Sequence, residues 1–81
     1  MTDAELSDLV ARSLYAVAPD IEGEPIDPNK SFRAQFEIDS MDFLNFVIGL
    51  HKATGVEILE RDYPDLRTLS GAVAFLRQRL P

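Results

Sequence analysis

Eighty-one residues with fourteen Asp and Glu against eight Lys and Arg carry a formal net charge of −6, which argues against nucleic acid and anionic membrane as partners. At 46% hydrophobic the chain supports a core and is not wholesale disordered, and without cysteine it has no disulfide, thiolate metal site or cysteine nucleophile. The start Met1-Thr2-Asp3-Ala4-Glu5 is too acidic for a signal peptide and no run reaches transmembrane length, so one cytoplasmic, monomeric domain over residues 1–81, without membrane insertion, is expected.

From Thr2 to Val17, residues Leu6, Leu9, Val10, Leu14 and Val17 recur on one face at helical spacing. Thr2 with Glu5 three residues on forms a capping box. Ala18 to Ser31 contains Pro19, Gly23, Pro25 and Pro28 and is expected to be a long irregular loop, anchored by Ile21, Ile26 and Phe32. A second helix is predicted from about Asp39 to Thr54, ending at Gly55, a natural residue just past a helix end. Val56 to Leu66, interrupted by Pro64, is irregular with room for one short helical turn. Thr68 caps a last helix through Leu80, with Leu69, Val73 and Leu76 on one side. Arg77 and Arg79 complement the negative end of its dipole. The fold class is therefore all-α, with no repeat and no strand.

The second helix carries more apolar residues than one buried stripe absorbs. Projected at about 100° per residue, Phe43, Phe46, Val47, Leu50 and Thr54 share one arc and are assigned to the core. Met41, Leu44 and Ile48 fall on a different arc with Asn45 and Lys52. Such a helix is either sandwiched or offers one face to a partner. The surplus face begins beside Ser40. Asp39 is the expected N-cap, which leaves the Ser40 hydroxyl in the first turn, free to face solvent where a phosphate is favoured. By itself an Asp-Ser pair is an ordinary helix start.

Catalysis by the chain itself finds no support. The single histidine, His51, lies eleven residues beyond Ser40 on the same predicted helix. At about 1.5 Å of rise per residue the two are roughly 16 Å apart, so no Ser-His pair forms. Glu57, Glu60, Asp62 and Asp65 lack the spacing of a calcium loop and are read as a solvated acidic rim. Tyr15 and Tyr63 have no companion base, and no glycine-rich phosphate loop occurs.

Taken in order, Phe36-Glu37-Ile38-Asp39-Ser40-Met41-Asp42, then Thr54-Gly55-Val56-Glu57-Ile58, then Thr68-Leu69-Ser70-Gly71-Ala72-Val73 resemble the acyl carrier protein family over most of the chain. The resemblance implies a four-helix bundle with three longer helices, a short third helix and a long first loop. It implies 4′-phosphopantetheine esterified to Ser40, whose thiol holds acyl or aminoacyl thioesters, with Asp39 as helix cap and motif acid. It makes the chain a substrate of a phosphopantetheinyl transferase and of acyl-loading and acyl-transfer enzymes, not an enzyme. Met41, Asp42, Leu44, Asn45 and Ile48 would form the docking face. Glu37 stands where the family commonly has Gly, and Leu59 where it often has Pro. Asn45, His51 and Lys52 stand where carriers of fatty acid synthesis usually place Glu, which points to a dedicated pathway. The competing reading is an unmodified helical interaction module that keeps the fold and binds through the Met41-Leu44-Ile48 ridge.

Overall fold

Thr2 starts the first helix by the predicted capping box. Its hydroxyl accepts the Glu5 N–H at 3.1 Å, and the Glu5 carboxylate accepts the Thr2 N–H at 2.8 Å. The bond from the Thr2 backbone holds the Glu5 carboxyl below its ordinary pKa. In the computed structural model, which describes residues 1–80, helix α1 spans Asp3–Val17 and buries Leu6, Val10 and Leu14. Leu9 and Val17, expected on the same face, are half-buried at its margins.

The first connection is more ordered than its prolines suggest. Pro19 opens a 3₁₀ turn, Pro19–Ile21, where its fixed φ suits a first helical position and its missing N–H is no loss. Ser31 then caps a short helix α2, Phe32–Gln35, by accepting the Ala34 N–H at 3.1 Å. The 3₁₀ turn corrects the expectation of a wholly irregular Ala18 to Ser31, whereas α2 follows that stretch. The anchors are partly as predicted: Ile21 and Phe32 are buried, while Ile26 is half-buried. Hydrogen bonds supply the rest. The Gln35 side chain accepts from Asp27 N–H and donates to the Asp27 and Lys30 carbonyls, each at 2.9 Å. Pro28 C=O accepts the Ser70 N–H at 2.9 Å, which ties the loop to the start of the last helix.

Helix α3 spans Ser40–Thr54 between an Asp39 N-cap and Gly55, whose φ of 74° is the left-handed conformation that favours glycine. The Gly55 N–H closes the helix on the His51 carbonyl at 2.7 Å. After it comes a 3₁₀ segment, Glu60–Arg67, longer than the single turn expected. Asp62 is buried here and is no part of a solvated rim, which corrects the sequence reading for that residue. Its carboxylate accepts the Leu59 N–H at 3.0 Å and lies 3.5 Å from the Arg79 guanidinium. Glu57, Glu60 and Asp65 are exposed as expected.

Helix α4, Leu69–Arg79, is capped by the Thr68 hydroxyl, which accepts the Gly71 N–H at 3.0 Å. It buries Ala72, Val73, Phe75 and Leu76, whereas Leu69 and Leu80 are half-buried. Phe75 widens the predicted stripe, with the Arg79 guanidinium 4.5 Å over its ring. Helix α1 packs against both α3 and α4, so Leu6, Val10 and Leu14 meet Phe46, Val47 and Leu50 in one core with Val73 and Leu76. A bidentate pair from Arg77 to Asp3, at 2.9 and 2.7 Å, joins α4 back to the start of α1. The architecture is the expected all-α bundle, with the 3₁₀ segment in the place of the short third helix and no strand among the described residues.

Candidate functional site

The start of α3 is built by reciprocal caps. Asp39 is extended, at φ −87° and ψ 179°, and its carboxylate accepts the Asp42 N–H at 2.8 Å. The Asp42 carboxylate reaches back to the Asp39 N–H at 3.4 Å. Both acids are thereby engaged within the first turn, and Asp42 is half-buried, not fully presented. Ile38, buried just before them, fixes the entry of the chain. Ser40 is thus held at the surface as the first helical residue. It is exposed, and its hydroxyl bonds to no protein group among the described residues. A hydroxyl so placed is accessible to another protein and is not engaged in capping.

Ser40 opens onto a cavity of about 630 Å³ between α2, α3 and the 3₁₀ segment. Phe32 lies at its base, edge-on to the buried Phe46 with ring centroids 5.4 Å apart. Phe43 and Tyr63 form an apolar wall, their rings edge-on at 5.7 Å. Phe43 is accordingly half-buried and only partly in the core, which corrects its full assignment there. Arg33 and Arg67, both exposed, line it together with Ser31 and with Leu44 of the exposed arc.

The rotation of α3 otherwise follows the projection. Phe46, Val47 and Leu50 are buried, and Thr54 is half-buried with its hydroxyl donating to the Leu50 carbonyl at 2.7 Å. On the other arc Met41 is 66% exposed, Leu44 41% and Ile48 43%, with Asn45 and Lys52 exposed beside them. Large apolar side chains left this open on consecutive turns form a ridge that leads away from Ser40. His51 sits at the far end of the helix, where its Nδ1 donates to the Val56 carbonyl at 2.8 Å. A carbonyl only accepts, so that bond fixes the proton on Nδ1.

Sequence reasoning brought together Asp39, Ser40, Asp42 and the ridge but missed the cavity. Arg33 stands seven residues before Ser40 and Arg67 twenty-seven after it, on short elements separate from α3, so no spacing signal links them. Among the described residues no group of three or more His, Asp or Glu is placed to hold a metal, and no helix is long and apolar enough to cross a membrane. A family model, described as phosphopantetheine attachment site, matches residues 4–76.

Proposed function

Because this chain belongs to the phosphopantetheine attachment site family and so is a carrier of covalent 4′-phosphopantetheine, we propose that Ser40 is the residue that bears the arm. The observation that carries this reading is the exposed, unengaged Ser40 hydroxyl at the first position of α3. The surroundings fit the group: free N–H groups and a positive dipole end favour its phosphate, and Phe43 and Tyr63 offer an apolar wall beside it.

In the loading step Ser40 Oγ gives up its proton and bonds to the coenzyme A phosphorus. The phosphorus–oxygen bond to the adenosine bisphosphate breaks, and that half leaves. Base and metal come from the transferase, since His51 is exposed at the opposite end of α3 and engaged with Val56. The chain is a substrate of enzymes and not itself one. The thiol at the end of the arm then holds acyl or aminoacyl groups as thioesters.

Partner enzymes dock on Met41, Leu44, Asn45 and Ile48, with Asp42 at the edge. Beyond Asp42 this face carries no carboxylate, and Lys52 ends it, which supports service to a dedicated pathway over general fatty acid synthesis. Residues 1–81 act as one carrier domain. The test is intact-protein mass after incubation with a phosphopantetheinyl transferase and coenzyme A. Wild type should gain one arm, and Ser40→Ala should fold normally and gain none. A fully modified Ser40→Ala would place the arm elsewhere.

A further inference from the structure

Arg33 and Arg67 come from different elements, α2 and the end of the 3₁₀ segment, yet line the same cavity as Ser40. The chain holds fourteen acids against eight Lys and Arg, but the cavity lining contains two arginines and no acid. Of the four other arginines, Arg12, Arg77 and Arg79 face Asp8, Asp3 and Asp62, and Arg61 lies outside the cavity lining. Arg33 and Arg67 form no such pair among the described residues. The acids flanking Ser40, Asp39 and Asp42, are turned into each other's backbone N–H groups, and neither Glu37, four residues after Arg33, nor Asp65, two before Arg67, forms an ion pair with these arginines.

From this we infer that Arg33 and Arg67 clamp the phosphodiester of the arm and lay its apolar part along Phe43 and Tyr63, an inference that rests on Ser40 as the attachment point. A guanidinium presents a planar fork of donors that matches phosphate oxygens. An exposed ion pair is ordinarily weak, but here the anion is covalently tethered, so its local concentration is already high. The phosphate, not a cargo carboxylate, is the group gripped, because the ester to Ser40 fixes it at the cavity whereas nothing fixes the cargo. The arm of this carrier is therefore held against the protein between partners, and does not swing freely.

The test uses holo protein made with excess transferase and coenzyme A and verified by mass. Absence of mass gain at Ser40 in wild type would remove the attachment reading and the clamp with it. Given the gain, phosphorus NMR decides the clamp alone. The wild-type phosphorus should relax about twofold faster than that of Arg33→Gln/Arg67→Gln, as for a group tied to domain tumbling instead of moving on the ps–ns scale. The Nε–H resonances of Arg33 and Arg67 should shift between apo and holo wild type, and that of Arg12 should not. This second measurement stands even if the double variant folds poorly. Arg33→Lys/Arg67→Lys, which keeps the charge and loses the fork, should relax between the two. Equal phosphorus relaxation in wild type and a folded Gln variant, or unmoved Arg33 and Arg67 resonances, would overturn the clamp.

Discussion

Gly71 is fixed by close approach and not by backbone freedom. A Cβ there would collide with the Asp65 carbonyl oxygen and come within 2.9 Å of Thr68 Oγ1, the oxygen that caps α4. The 3₁₀ segment and α4 meet so tightly that only a hydrogen fits between them. Gly71→Ala raises intrinsic helix propensity, yet the junction must open to admit the methyl. Overpacking of this kind costs about 1–3 kcal/mol, which outweighs the propensity gain of about 1 kcal/mol. The variant should unfold at a lower urea midpoint than wild type. An unchanged or higher midpoint would mean the junction yields without strain.

Helix α3 has one packed and one exposed apolar face, and substitutions on each should separate packing from the proposed docking. Phe46 is fully buried against Phe32 and Phe43, and truncating a buried Phe to Ala costs about 3–5 kcal/mol. That approaches the whole stability of a small domain, so Phe46→Ala should be largely unfolded by circular dichroism. Phe43→Ala should melt between that variant and wild type, because its ring is half-buried over a cavity. Identical melting of the two would restore Phe43 to the core. On the opposite face Leu44→Glu should stay within about 1 kcal/mol of wild type while slowing modification or acyl loading. Unfolding of Leu44→Glu would show that the ridge is packing and not a docking face. The bounds and rotation of α3 were legible because Asp39 and Gly55 punctuate it and its apolar residues fall on two arcs. Phe43 shares the core arc in projection, but its ring borders the cavity beside Tyr63, a tertiary feature that periodicity does not carry. Pro64 pointed to irregular chain where eight residues form a 3₁₀ segment, since a period of about three residues matches neither the 3.6 nor the 2.0 pattern that marks helices and strands in a sequence. Ser31 as a cap was hidden among loop prolines, and with it α2 and Arg33.

Across the whole molecule the charge is acidic, but the ridge beyond Asp42 is not. Asp39 and Asp42 stand at its head with their carboxylates engaged in capping, Asp62 is withdrawn onto Leu59 and Arg79, and Glu57, Glu60 and Asp65 stand beyond α3. The ridge of Met41, Leu44 and Ile48 is flanked by Asn45 and Lys52, with Arg33 and Arg67 near its head. Exposed ion pairs contribute little affinity each, but they steer encounter and penalise mismatched partners. A basic enzyme patch shaped for a row of acids finds a neutral apolar ridge here, with cations at its edges. Binding to the true partner should rest on apolar contact and lose little affinity as salt rises, because a Debye length of about 8 Å at physiological ionic strength screens charge and not hydrophobic burial. Holo protein loaded with malonyl groups should therefore turn over poorly with a ketosynthase of general fatty acid synthesis, measured beside a housekeeping carrier at equal concentration. Replacing Asn45 and Lys52 by Glu should raise that turnover if charge is the barrier. Equal turnover by the unaltered protein would mean the missing acids are irrelevant, and the case for a dedicated pathway would fail.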